Sequence, residues 1–432
     1  MAQKDSGKGR GKDRGPAGGG RKNARREASR TGLLEFAAQQ DFRYCPNNAS
    51  PRAEQTGLGG GRFLTSAQGF ANQVLVRAPQ QFRIRDMKAK VDCLAREQWP
   101  TARYGNRRIL FLLPSQALGN NVCTLLFLQA FIEQCQPREV GVFCAQSAAD
   151  IYLQAENITV FALWLARKDL RRWDMVIDLG HLESRRNIEF WPVDMEADLL
   201  DAFNLQPCTR FSPDPAPIGP SERPHIGIFP LASSPLRTLP VAATLAVITG
   251  LSEGFPAPLT LCLNRNQRQG QLYRQAIGDK LPSEVRIVDA FSSIGDLVDA
   301  VGGFDYLIAA DSGPAHMAKL TATPGVAVYS SAPGDVLQGR FRNLSNWTVP
   351  YGGDYCTAPC GLAGVRETED GRIGCMGSLG LGVEDLPQTP RQAQAGAVDR
   401  LFAEPVPCIR HLAENPGLLV DFVLNDLRNR SA

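Results

Sequence analysis

The sequence predicts an α/β protein of two parallel-sheet domains facing each other across a cleft. Three observations carry that reading. Short, mainly apolar runs recur along the chain, as strands buried on both faces require. They are 109–113 (ILFLL), 140–144 (VGVFC), 225–229 (HIGIF), 259–263 (LTLCL) and 306–309 (YLIA). The stretch from Phe304 to Tyr329 reads strand, loop, helix, strand, a βαβ unit. A proline-rich linker at 212–224 (SPDPAPIGPSERP) splits the pattern in two, and 432 residues hold two domains with a tail or insert to spare.

Composition narrows the class. A hydrophobic content of 43% is that of a globular chain with a sizeable core. A net charge of +3 argues against a chain that binds nucleic acid as a whole. No apolar run reaches the roughly 20 residues of a membrane span, and the basic, Gly-rich start has no apolar segment behind it to make a signal peptide. Eleven cysteines without such a signal fit a reducing cytoplasm.

In chain order, residues 1–30 carry ten Lys or Arg against three acidic residues, interleaved with glycine, and are expected to be disordered. They read either as a contact for anionic lipid or nucleic acid or, preferably, as a solubilising tail. Residues 31–105 form an accessory segment whose glycine turn, Thr56 to Gly61, lacks the preceding strand and following Lys-Ser/Thr of a phosphate loop. The first sheet domain is placed at 106–211: strand 109–113, loop 114–121, an amphipathic helix 122–135, strand 140–144, then a strand and turn at 174–180. The second domain, 222–350, has strands at 225–229, 259–263, 285–288, 306–309 and 326–329. Its helix at 315–320 is announced by Ser312 as cap and Pro314 in the first turn, and Thr323-Pro324-Gly325 ends it. Residues 351–432 form a Cys-containing insert with helices at 388–403 and 416–429 that close the chain. A helix N-terminus just past a strand's carboxyl end is where an α/β sheet binds anions, which directs attention to 311–316.

The run Asp311-Ser312-Gly313-Pro314-Ala315-His316-Met317-Ala318 followed by Thr323-Pro324 resembles the signature of glycosyltransferase family 9, the ADP-heptose heptosyltransferases. The likeness extends over about 108–335. Pro230, Ala232, Ser233, Ser234, Arg237 and Leu239-Pro240 resemble the family's phosphate-side loop, with arginine where lysine is usual. Residues 174–179 (DMVIDL) and 291–297 (FSSIGDL) resemble two further elements, and Gly119-Asn120 stands where the family has Gly-Asp. The resemblance implies a GT-B fold of two Rossmann-like domains, a nucleotide-sugar donor of ADP-heptose type, a glycolipid (lipopolysaccharide-core) or protein acceptor, transfer with inversion, and no catalytic cofactor. Nucleic acid is not an expected partner, and the location implied is the cytoplasm, with the periphery of the inner membrane open to it.

Donor contacts are then expected from Ser233, Ser234, Arg237, Asp311, Ser312, Gly313 and His316. A planar guanidinium grips two phosphate oxygens at once, Asp311 bonds sugar hydroxyls or fixes the loop, and His316 either bonds a phosphate or caps and packs. In the family the acid after the first-loop glycine serves as base. Asn120 has no basic site near neutral pH, so His181 or Glu183 is expected to replace it at the catalytic centre, or the chain is a nucleotide-sugar-binding or assembly protein that has lost catalysis. Cys356, Cys360, Cys375 and Cys408 form a set fit for a structural Zn²⁺ or iron. One branch of the family, the autotransporter heptosyltransferases, carries a cysteine-bound iron and forms large oligomers. Against this, the four are simply free thiols.

Overall fold

Among the described residues eleven strands pair into two all-parallel sheets. The first sheet contains β1 (Asp92–Cys93), β2 (Arg108–Leu113), β3 (Glu139–Cys144), β4 (Ile158–Ala162) and β5 (Met175–Asp178), in the order β1-β5-β2-β3-β4. The second contains β6 (Ile226–Phe229), β7 (Leu259–Cys262), β8 (Arg286–Val288), β9 (Tyr306–Ala310), β10 (Gly325–Tyr329) and β11 (Leu344–Thr348), in the order β11-β10-β9-β6-β7-β8. The computed structural model describes residues 92–94, 96–113, 117–162, 172–179, 194–218, 223–255, 257–264, 268–278, 280–351, 358–359 and 399–431. The basic tail, most of the accessory segment and most of the Cys-containing insert lie outside these residues.

The two Rossmann-like domains expected from the apolar runs are present, and every expected strand forms. The reason is uniform: β2, β3, β6, β7, β9 and β10 are buried along nearly their whole length, so an unbroken apolar run is their stable composition. The end of the accessory segment belongs to the first domain. There β1 pairs with β5, and the buried Trp99 stacks on Phe203 with ring centroids 4.8 Å apart.

The helix after β2 departs from expectation. It spans Leu118–Cys135, so it starts four residues before 122 and takes Gly119 and Asn120 into its first turn. It is not amphipathic either, because every residue from Asn121 to Phe131 is buried. This helix, α1, lies between the first sheet and elements of the second domain, so over 121–131 no face is left for water. The buried Asn121 is tolerated because its amide donates to Ala117 O at 2.9 Å and its Oδ1 accepts from Tyr152 at 2.8 Å.

Further along come α2 (Ala149–Tyr152), α3 (Met195–Phe203), α4 (Val241–Gly254), α5 (Arg268–Ile277), α6 (Ile294–Gly302), α7 (Gly313–Thr321), α8 (Gly334–Gln338), α9 (Pro407–Glu414) and α10 (Gly417–Ser431). Of the expected closing helices, 388–403 is helical over 399–403, its described part, and 416–429 forms as α10, with α9 unanticipated between them. Both α9 and α10 pack on α4 of the second domain. Tyr306 at the start of β9 donates to Asp426 Oδ2 of α10 at 2.6 Å, and Asp426 also accepts from Ser345 and from Arg430 Nε. Tyr306→Phe is therefore expected to lower stability by about 1–2 kcal/mol, read as a shift of the urea midpoint at unchanged slope.

Candidate active site

Topology alone singles out two places. In the second sheet the chain runs β6, β7, β8 to one side and then β9, β10, β11 to the other, so the direction reverses between β6 and β9. In the first sheet it reverses between β2 and β5. Ligands of parallel sheets bind at such switch points, beyond the strands' carboxyl ends. The loop after β6 carries Ser233, Ser234 and Arg237, and the loop after β9 carries Asp311 and Ser312. Segments 74 residues apart thus meet in one crevice.

Arg237 joins them. Its Nη1 donates to Asp311 O at 3.0 Å and lies 3.3 Å from Asp311 Oδ1, while Nη2 donates to Ser233 Oγ at 2.9 Å. The pair is largely dry, with the arginine side chain 14% exposed and the aspartate 2%. Burial raises the Asp311 pKa, and the Arg237 charge beside it, with Lys319, works against the rise. Among the described residues, Asp311 Oδ2 and Arg237 Nε have no hydrogen-bond partner. Both atoms are buried, so the pair keeps one unsatisfied acceptor and one unsatisfied donor in its interior.

Ser234 serves the loop itself. It is buried, its hydroxyl accepts from Leu236 N at 3.3 Å, and its carbonyl accepts from Arg237 N and from Thr238 Oγ1. Thr238 in turn accepts from Ala232 N and Gln269 Nε2. The turn that aims Arg237 is thus fixed from several sides.

Ser312 sits at the N-cap of α7 with extended dihedrals, yet it makes no side-chain cap. Its hydroxyl donates backwards to Ala310 O at 3.2 Å, which corrects the capping role expected of it. The Ser312 hydroxyl therefore leaves the first amides of α7 uncapped by their own N-cap residue, and the helix end keeps its partial positive charge. Gly313 lies under Leu118: a Cβ there would be 2.9 Å from Leu118 Cδ1. His316 lies on Gly119, where a Cβ would be 2.7 Å from its Cδ2. The first turns of α1 and α7 thus touch across the cleft, placing half-buried Asn120 at the contact. Glycine at 119 and 313 is what permits the approach.

His181 and Glu183, Cys356, Cys360 and Cys375 lie outside the described residues. Cys408, on α9, is buried in the apolar cluster with Val406, Ile409 and Leu412. Among the described residues no three His, Cys, Asp or Glu side chains form a metal-ligating group.

Three charged residues near this site carry no sequence motif. Lys319 of α7 is 1% exposed, donates to Leu337 O at 2.6 Å and stands 5.5 Å from the Phe341 ring. Arg340 stacks on the same ring at 4.4 Å and bonds Glu196 Oε1 of the first domain at 3.1 Å. The one signal for Lys319 was its place on a helix whose neighbours Met317 and Ala318 are core.

The architecture is that of a two-domain α/β protein with matched switch points across a cleft. No family model and no curated protein matches the chain. Among solved structures it is similar to E. coli heptosyltransferase WaaC with ADP-2-deoxy-2-fluoro heptose, at 11% identity and TM-score 0.41, over 56% of this chain and 93% of that one. It is similar to a glycosyl transferase family 9 protein from Veillonella parvula at 12% identity and TM-score 0.45, covering 57% and 87%. It is also similar to the iron-containing dodecameric glycosyltransferase TibC of enterotoxigenic E. coli, at 15% and 0.46, covering 76% and 78%.

Proposed function

We propose that this protein is a family 9-type glycosyltransferase that moves a sugar, heptose by the motif resemblance, from a nucleoside-diphosphate donor to a glycolipid or protein acceptor with inversion. The observation that supports it most is the meeting of the 230–240 and 311–316 loops at the switch point of the second sheet. There the Arg237–Asp311 pair ties the two loops together beside the N-terminus of α7, with Arg237 Nη2 on Ser233. A sugar diphosphate presents anionic oxygens next to hydroxyls, which suits a guanidinium, a serine hydroxyl and a helix N-terminus set side by side. Arg237 is neutralised by Asp311, so the α7 amides carry more of the leaving diphosphate's charge than the arginine alone would.

Asn120 is suited to orient an acceptor hydroxyl but not to take its proton, and the base falls to His181 or Glu183. The reaction belongs in the cytoplasm or at the inner membrane's inner face. Among the described residues no helix is long and apolar enough to cross a membrane. A structural metal held by Cys356, Cys360, Cys375 and Cys408 remains part of this reading, with no step of the transfer assigned to it. The second reading, a nucleotide-sugar binder without catalysis, is favoured by the amide at 120.

The test is a panel of nucleotide sugars read by thermal shift, followed by transfer assays. The glycosyltransferase reading expects an ADP-sugar to stabilise the chain and transfer to fall about 10²–10⁴-fold in His181→Ala or Glu183→Gln. Gain of transfer in Asn120→Asp with the other two silent removes the substitute base. Stabilisation without transfer in either wild type or Asn120→Asp selects the binder. No stabilisation by any sugar nucleotide overturns both.

A further inference from the structure

The carboxyl edges of the two sheets oppose each other in matching order. At one end Glu196, on the helix after β5, meets Arg340, which follows β10. In the middle α1, after β2, meets α7, after β9. At the other end α2, after β3, meets α6, after β8. The end contacts are built differently.

Arg340 is held four ways. It donates to Glu196 Oε1 at 3.1 Å, to Phe211 O at 3.2 Å and to Cys208 Sγ at 3.8 Å, and its guanidinium lies 4.4 Å from the Phe341 ring. Glu196 and Phe341 are buried. Gly339 beside it has φ +59°, and a Cβ there would fall 2.1 Å from Asp194 Oδ2 of the first domain. The chain also crosses between the domains here: Arg342 N donates to Pro213 O and Ala216 N to Ala322 O, both at 2.7 Å.

At the opposite end α2 packs on α6 and one hydrogen bond joins them among the described residues. Gly295 N, in the first turn of α6, donates to Asp150 Oδ2 of α2 at 3.1 Å. Ser293 already caps α6 by accepting from Asp296 N, so Asp150 satisfies the next orphan amide from across the cleft. Ala149, Asp150, Ile294 and Gly295 all keep partial exposure.

Between the two, Leu118 packs on Gly313 and His316 on Gly119, so parting the domains at this point uncovers the start of α7. We propose that Glu196–Arg340 is the pivot on which the two domains turn, and that the Asp150–Gly295 bond is the clasp that opens to admit a ligand. A rotation displaces atoms least at the pinned, linker-side end and most at the far end. At the far end one hydrogen bond and the apolar packing of Ala149, Ile294 and Leu297, all partly exposed, oppose separation. This assignment does not depend on which ligand enters.

The experiment is hydrogen–deuterium exchange on the full chain without ligand. Asp150→Ala, at a half-exposed site, is expected to speed exchange of the 313–318 amides roughly fivefold or more, the scale of a lost cap, while 208–216 and 339–343 stay as in wild type. Glu196→Gln and Arg340→Met are expected to loosen all of these segments together. Faster exchange confined to 294–297 in Asp150→Ala would mean a local cap and nothing more, and would overturn the clasp. Unchanged exchange at 313–318 in folded Glu196→Gln would overturn the pivot. Should Arg340→Met fail to fold, Glu196→Gln and Asp150→Ala still decide both halves.

Discussion

Arg237→Met is expected to destabilise the protein by about 3–5 kcal/mol at neutral pH, the cost of leaving one member of a buried ion pair behind. The stranded group is Asp311, 2% exposed and bonded to Arg237 through both its carboxylate and its carbonyl oxygen. The loss has a definite pH dependence. Burial already lifts the Asp311 pKa above its ordinary 3.8, against the pull of Arg237. A carboxyl whose folded pKa is raised binds protons more tightly folded than unfolded, so its contribution to stability falls as pH climbs from 3.8 through the folded value. Without Arg237 that rise is larger and the window reaches further up. Denaturant unfolding of the variant should show the smallest deficit in acid and the largest above the raised pKa. Asp311→Asn in the same background should restore part of the loss. Equal midpoints for wild type and Arg237→Met at neutral pH would mean the pair is not holding this loop.

Gly325→Ala is expected to cost more than about 3 kcal/mol, although it adds one methyl group. In β10 the new Cβ would stand 2.0 Å from Leu307 O and 2.8 Å from Leu307 N and C, all backbone atoms of the paired β9. No side-chain rotation relieves that contact, so the two strands must part. The site feels it directly, because Asp311 N donates to Val328 O of β10 at 3.1 Å. The midpoint of unfolding and the thermal shift given by a sugar nucleotide should fall together. A shift kept at full size would show that the loop does not depend on this pairing.

Gly325 also shows where sequence reading stops. As a helix breaker after Thr323-Pro324 it is legible. As the residue that lets β9 and β10 close, it is visible only once the strands are paired. The same holds for α1. Its apolar run and its approximate end are plain in the sequence, but its early start and its burial on all sides depend on the second domain lying across it. That packing also moves Asn120 from a loop into a helix's first turn. The Ser234 and Ser312 hydroxyls could be assigned to a ligand from the motifs; in the structure one holds a turn and the other bonds back to β9's last carbonyl.

By itself the sequence determined the two parallel sheets and the two loops at the second switch point. Strands buried on both faces must be unbroken apolar runs, and tight loops at strand ends must carry Gly, Pro and small hydroxyl residues. Tertiary structure alone decided that Arg237 would be neutralised by Asp311, that Lys319 and Glu196 would be core charges, and that Arg340 would be half-buried against Glu196. A charge's partner and its desolvation are set by what folds over it from far along the chain, and no local pattern of residues records that.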